Sequence, residues 1–261
     1  MKNEKIAVAI VGNFKYLKKY YKSFYKNIRE KGNYKGEIVL ITSLFCPTFL
    51  FRNIKFENKV VVLRFKKIHF STLTKSRLSA IKIENRPNRF NTKKFQWHKL
   101  YLFHPKLKEW DYVFYLDINM SIHYDINPIL QFKPINKIYA RSDGYPDFKN
   151  TLRSQFDASM IEFYGLDKKF NLDTTSYFQT GILFYDTKLI DLKFIDNCLA
   201  LTDKYPITIT NEQGILNLHV IENKILFEEL PIKFDNFISY FYWLIEGEKI
   251  IITKQLTKQY K

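Results

Sequence analysis

Several features that would settle the class of a chain are scarce in this one. Its 261 residues hold two cysteines, Cys46 and Cys198, far apart and without metal-ligand spacing. That excludes a disulfide-stapled scaffold and a thiolate zinc site, and leaves two free core thiols in a reducing compartment. Glycine and proline number eight each while hydrophobic residues make up 46%, so the chain is neither disordered nor fibrous and has material for a sizeable core. No run of about 18 apolar residues occurs, which excludes a membrane-spanning helix. The polar start Met1–Glu4 leads straight into Ile6–Val11, too short for the core of a signal peptide. The expected location is cytoplasmic.

Acidic residues are also scarce: 26 Asp and Glu face 42 Lys and Arg, a net charge of +16. The shortage is confined to residues 1–110, which carry 26 basic and 6 acidic residues; the remainder carries 16 and 20. An anionic partner for the first half follows: a nucleotide, a nucleic acid or an acidic membrane surface. The chain is rich in Lys, Asn, Ile, Phe and Tyr throughout, so a compositional bias accounts for part of the charge. Leu17, Tyr20, Tyr21, Phe24 and Ile28 recur at helical spacing, with six basic residues elsewhere around that helix. Its tyrosines sit on the packing side, where they cannot stack on bases, so no specific nucleic acid is expected. Peripheral contact of the basic face with anionic lipid stays open.

What is present alternates strand and helix. Ile6–Val11 reads as a buried strand closed by Gly12-Asn13, followed by the lysine-studded helix that Gly32 stops. Further strands are read at 38–42, 60–64, 112–116, 137–141 and 176–185. Helices are read at 73–83, 95–103, 152–164, 189–201 and 210–220, the last capped by Thr210 or Asn211. Residues 225–234 read as extended around Pro231. Strand, helix and strand in this order predict parallel pairing and a doubly wound α/β sheet. No repeat or linker divides the chain. One domain over 1–261 is expected, with a nucleotide-binding half to about 123 and an acceptor-side half from about 124.

The most informative stretch is Trp110 to Asn119. The apolar strand Tyr112–Leu116 delivers Asp117 and Asn119 at its carboxyl end, where open α/β sheets bind ligands. With the backbone extended, side chains at i and i+2 point the same way. A carboxylate and an amide oxygen then suit a hard cation carrying a diphosphate, or a ribose hydroxyl. A strand closed by an Asx-turn is the other reading.

Several further segments, taken in order, resemble the GT-A glycosyltransferases, in particular family 8, the glycogenin and bacterial galactosyltransferase-like retaining enzymes. The resemblance runs from about residue 5 to 236 and rests on several weak motifs. Ala7 to Tyr16 is similar to the first strand and loop, which implies that Tyr16 stacks on the nucleobase and the Gly12-Asn13 backbone faces it. Phe95-Gln96-Trp97-His98-Lys99-Leu100 resembles the T-K-L helix, implying that Lys99 reaches the donor phosphates; Arg77 stands roughly where an arginine has similar duty. Tyr115 to Ile122 resembles the D-x-D motif, and Asp125 to Leu130 the segment that follows it. Arg141 to Asp147 is similar to the loop whose aspartate, here Asp143, binds donor-sugar hydroxyls. Tyr177 to Leu183 resembles F-N-S-G-V, with Gln179, Thr180 and Gly181 lining the donor. Asn211 to Asn217 is the most specific match, to D-Q-G-x-L-N, placing Glu212 at the aspartate and Gln213 below the anomeric carbon. Leu230 to Asp235 resembles the L-P-x-x-[FY]-N element.

The resemblance implies a single GT-A domain, Rossmann-like, with a mostly parallel central sheet flanked by helices. It implies sugar transfer from a nucleotide sugar, UDP-linked first, to a glycan, glycolipid or glycoprotein acceptor with retention. Catalytic duty falls to Gln213, Glu212 and Asp143, with Glu212 or Asp143 as base should the enzyme invert. A divalent cation, manganese first, is implied on Asp117 and Asn119. Asn119 replaces the second aspartate, so the site has one negative charge fewer. The family's closing H-F-x-G-x-x-K-P-W loop is not found: residues 242–250 offer Lys249 but no histidine, and His219 lies too close to 211–217. Two rival readings remain: a polyanion-binding module driven by the basic half, and a GT-A domain that binds nucleotide without turnover.

Overall fold

The computed structural model describes residues 4–84 and 87–254. Residues 1–3, 85–86 and 255–261 of the expected single domain lie outside the described residues. Eleven strands follow one another: β1 (Ile6–Val11), β2 (Glu37–Ser43), β3 (Val60–Phe65), β4 (Tyr112–Leu116), β5 (Ser121–Ile122), β6 (Ile138–Ser142), β7 (Phe178–Asp186), β8 (Phe227–Glu229), β9 (Lys233–Phe234), β10 (Phe237–Phe241) and β11 (Lys249–Thr253). Seven form one sheet in the order β3-β2-β1-β4-β7-β6-β8; β5, β11, β10 and β9 form a second.

The continuous apolar runs become the strands that are buried on both faces. In β1, Ala7, Ala9 and Val11 enter one core cluster while Val8 and Ile10 enter the other. β4 divides likewise, Val113 and Tyr115 to one side, Tyr112, Phe114 and Leu116 to the other. Aromatic stacking fills the first cluster: Phe103 lies 4.3 Å from Phe194 and 4.8 Å from Tyr185 between ring centroids. Burial of each such ring stabilises the fold by roughly 1.5–3 kcal/mol.

β1 to β4 run parallel, as strand-helix-strand order requires. The chain steps from β1 outward to β2 and β3, then returns to place β4 on the other side of β1. The carboxyl ends of β1 and β4 therefore flank the point where strand order reverses, the usual ligand crevice of such sheets. β7 departs from the expected parallel pairing. It runs antiparallel to both β4 and β6, so its first residues meet the last residues of β4.

The basic helix forms where the periodicity puts it, as Phe14–Tyr16, a π turn at Leu17–Tyr21 and then Lys22–Glu30. Leu17, Tyr21, Phe24 and Ile28 are buried and the lysines face outward. Residues 94–103 wind as 3₁₀ turns in place of an α-helix; six of them, Trp97 to Leu100, Leu102 and Phe103, are buried, so no wide solvent face exists. The helix read over 152–164 is corrected. It breaks into a 3₁₀ turn, Leu152–Gln155, and a helix, Glu162–Lys169. Asp157 interrupts it: its side chain accepts from Ser159 N–H at 3.0 Å while its own N–H goes to Ile207 C=O at 2.9 Å. Among the described residues no helix is long and apolar enough to cross a membrane.

The second sheet was not read from the sequence. β11 pairs antiparallel with β5, Thr253 opposite Ser121, and parallel with β10. This pairing returns the end of the described chain to the residues that follow β4.

Candidate functional site

At the end of β4 the backbone turns instead of staying extended. Met120 N–H bonds Asp117 C=O at 2.9 Å, making Ile118 and Asn119 the centre of a tight turn. The extended backbone expected at 117–119 is therefore corrected to a turn, in which Asp117 and Asn119 both stay partly exposed while Ile118 and Met120 are buried. Asn119 has no side-chain hydrogen bond among the described residues. Asp117 is the centre of the site by itself.

Its Oδ1 lies 2.9 Å from Lys99 Nζ and accepts from Tyr115 OH at 2.6 Å; its Oδ2 accepts from Lys254 Nζ. Burial pushes the Asp117 pKa up, but the Lys254 and Lys99 ammonium groups outweigh it and hold the carboxyl well below the usual range. Lys99 also reaches Thr180 C=O at 3.0 Å and Glu212 Oε1 at 3.4 Å. Burial lowers the Lys99 pKa, and Asp117 with Glu212 more than restore it, so the ammonium stays charged. Glu212 is sealed in at 2% exposure and accepts from Thr180 Oγ1 at 2.9 Å. Desolvation raises its pKa against the pull of Lys99. Two carboxylates and two ammonium groups thus close one neutral cluster.

Thr180 joins this cluster to a second group. Its N–H donates to Gln213 Oε1 at 3.1 Å, and Gln213 Nε2 donates to Gln155 Oε1 at 2.9 Å. Gln155 Nε2 then donates to Asp143 Oδ2 at 3.1 Å, which Tyr177 OH approaches at 3.3 Å. Burial raises the Asp143 pKa, opposed by those two donors. Gln179 completes this wall. Its Oε1 accepts from Tyr242 OH at 3.2 Å and Tyr240 OH at 3.4 Å, while its buried Nε2 has no partner among the described residues. Gly181 sits between the groups: a Cβ there would lie 3.0 Å from Met120 Cε and 3.5 Å from Asp117 Oδ2. Its C=O accepts from Asp117 N–H at 2.9 Å.

The structure therefore brings together Lys99, Asp117, Gln179, Thr180, Gly181, Glu212, Gln213 and Asp143. Gly12 adjoins them across the sheet end; a Cβ on it would stand 3.7 Å from Ile118 Cδ1. Asn13 Oδ1 accepts from Tyr16 N–H at 3.0 Å, capping the helix start and leaving the Tyr16 ring 41% exposed. Arg77 is placed elsewhere. It pairs with Glu162 at 3.3 Å, and no hydrogen bond or ion pair joins it to the Asp117 cluster among the described residues.

Sequence reasoning missed Lys254, Tyr115, Gln155, Tyr177, Tyr240 and Tyr242. Of these only Lys254 carries a local signal, a cation two residues after the end of the apolar run Ile250–Ile252. The residues around Asp117 do not fit a divalent cation. Both carboxylate oxygens already hold ammonium groups, Asn119 brings a neutral amide oxygen in place of a second carboxylate, and no group of three or more His, Cys, Asp or Glu is gathered to hold a metal among the described residues.

No protein-family profile and no curated protein matches the chain. Solved structures do. A galactosyltransferase, LgtC, in complex with donor and acceptor sugar analogues matches at TM-score 0.52 and 13% identity, over 81% of this chain and 69% of that one. An active-site variant of LgtC matches at TM-score 0.52 and 12% identity, over 82% and 70%. The glycosyltransferase GlyE of Streptococcus pneumoniae TIGR4 matches at TM-score 0.49 and 16% identity, over 87% and 45%. The seven-stranded, mostly parallel sheet flanked by helices is the GT-A fold of glycosyltransferases.

Proposed function

We propose that this chain is a glycosyltransferase that moves a sugar from a nucleotide-sugar donor, a UDP-sugar first, to a hydroxyl of a glycan, glycolipid or glycoprotein. One observation carries the reading: on a GT-A fold, Thr180 links a cluster of two ammonium and two carboxylate groups at the strand-order switch to a wall of amide, carboxyl and phenol side chains. The complex of LgtC with donor and acceptor sugar analogues supports the same ligand class.

The chemistry breaks the bond between the anomeric carbon and a diphosphate oxygen, and the electron pair leaves with the diphosphate. Cations beside Asp117 stabilise that developing charge. Asp143 and the unpartnered Gln179 amide hold donor-sugar hydroxyls, and Gln213 lies between them and Thr180. The acceptor oxygen bonds the anomeric carbon as its proton passes to the departing phosphate oxygen on the same face. Retention is favoured over inversion because Glu212 is committed to Lys99 and Thr180, which makes it a positioning residue.

Thermal shift with a panel of nucleotide sugars, followed by donor hydrolysis, tests the reading. A donor at a hundredfold excess over Kd stabilises the protein by about 2.7 kcal/mol, and a competent site leaks sugar to water. Binding without hydrolysis leaves a nucleotide-binding domain. Salt-dependent polyanion binding that survives Asp117→Ala, with no response to any nucleotide sugar, sinks the proposal in favour of the polyanion module.

A further inference from the structure

We infer that the Lys254 ammonium, seated on Asp117, is the cation that meets the donor's diphosphate, and that this site works without a divalent metal. The inference rests on the glycosyltransferase reading and adds the identity of its counter-charge.

The first observation is an asymmetry between the two lysines. An ammonium has three N–H donors. Lys99 faces three acceptors, Asp117 Oδ1 at 2.9 Å, Thr180 C=O at 3.0 Å and Glu212 Oε1 at 3.4 Å, and its side chain is 10% exposed. It is fully committed to the protein. Lys254 donates to Asp117 Oδ2 and to no other group among the described residues, and its side chain is 27% exposed. Two of its donors remain free, on a group that still reaches solvent. They suit phosphate oxygens.

The second observation is that the fold delivers Lys254 deliberately. β11 is hydrogen-bonded on both sides, Thr253 opposite Ser121 of β5 and Phe241 of β10. Lys254 N–H then bonds Phe241 C=O at 3.1 Å. The backbone that carries the ammonium is therefore held against the strand that follows the 117–120 turn. A tail that met Asp117 by chance would lack this pairing.

The third is charge balance. With Asn119 neutral, the strand end offers one negative charge, and one ammonium neutralises it. A dication on Asp117 would displace Lys254 from it and then stand beside the Lys99 ammonium, which is fixed in place. Lys254 needs no such displacement. It supplies positive charge while Asp117 holds it in place.

The full chain is titrated with UDP, ADP, GDP and CDP in EDTA and in Mn²⁺, and the tightest nucleotide is carried forward with its nucleoside as control. Mn²⁺ is also titrated alone. Expected are no Mn²⁺ site on the free protein and nucleotide affinities within about twofold in the two buffers. Lys254→Met should weaken the diphosphate roughly tenfold or more while leaving the nucleoside unchanged; Lys254→Arg should recover part of the loss. Lys249→Met, at an exposed lysine over the Phe237 ring, controls for net charge. Nucleotide binding that is tenfold tighter with Mn²⁺, or wild-type diphosphate affinity in Lys254→Met, overturns the inference and leaves the transferase reading standing. Should Lys254→Met not fold, the two-buffer comparison on the natural chain still decides. No binding of any nucleotide or nucleotide sugar in either buffer overturns both.

Discussion

Asn217 clamps Phe178 from both sides: its Oδ1 accepts the Phe178 N–H at 2.9 Å and its Nδ2 donates to the Phe178 C=O at 2.8 Å. The last asparagine of the 211–217 segment is thus a backbone surrogate. It continues the hydrogen bonding of β7 at the point where that strand enters the site, two residues before Thr180. The same two bonds tie the Glu212–Glu222 helix to the strand, while Nδ2 also reaches back to Gln213 C=O of its own helix at 2.9 Å.

Asn217→Leu leaves a buried N–H and C=O without partners, which costs about 2–4 kcal/mol. Urea unfolding should show the loss as a lower midpoint at unchanged slope. Asn217→Asp keeps the acceptor but not the donor and should fall between the two. A Leu variant as stable as the natural chain would mean that water or a shifted backbone replaces the clamp.

His98 predicts a pH dependence that has nothing to do with catalysis. It is buried, stacks 4.1 Å from Phe95, and neither ring nitrogen has a partner. Burial, with the charge of Lys67 second, lowers its pKa from 6.5 to about 4. The unfolded chain therefore binds this proton more readily, and stability falls as pH drops from about 6.5 towards 4. The loss is about 3 kcal/mol at most by the usual conversion of a pKa shift. His98→Leu should flatten that part of the stability–pH curve; an unchanged slope would assign it to other groups.

A substitution at Gln155 tests sugar binding separately from nucleotide binding. This residue is 2% exposed and bridges Gln213 to Asp143. Gln155→Leu should slow donor hydrolysis roughly ten- to a hundredfold through lost positioning, at a stability cost of about 1–3 kcal/mol for the unpaired groups. UDP, which lacks the transferred sugar, should bind as before. Equal losses for UDP and for the nucleotide sugar would place the defect in the whole pocket.

How much of this was legible follows from the range of each signal. Lys99, Asp117, Thr180 and Glu212 were singled out from separate motifs, and they meet within hydrogen-bonding distance. Strand runs were readable because β1 and β4 are apolar at every position, which burial on both faces demands. The direction of β7 was not, since an apolar strand reads alike in either sense. Gln155 was hidden in a stretch whose spacing suggested one helix, and Asp157 breaks it there. Lys254 reaches Asp117 only through the pairing of β11 with β5, a contact no local pattern records. The backbone reading at 117–119 failed for the opposite reason. It assumed extended backbone where a four-residue turn forms.

Tyr16 offers the most direct test of where the nucleobase lies. Asn13 caps the backbone N–H of Tyr16, and the exposed ring meets the Tyr20 ring at 5.8 Å between centroids. Removing the Tyr16 ring should change stability by less than about 0.5 kcal/mol, as at most surface positions. Stacking of a base on an aromatic ring contributes about 1–3 kcal/mol, so Tyr16→Ala should weaken UDP and uridine alike by roughly five- to a hundredfold. Tyr16→Phe keeps the π face and should bind as the natural chain does. This pattern is the reverse of that expected for Lys254→Met, which spares the nucleoside and affects only the diphosphate. Calorimetry on the two variants with the same two ligands thus separates the base end of the pocket from its phosphate end. A Tyr16→Ala protein that binds uridine normally would move the base away from the Gly12-Asn13 loop.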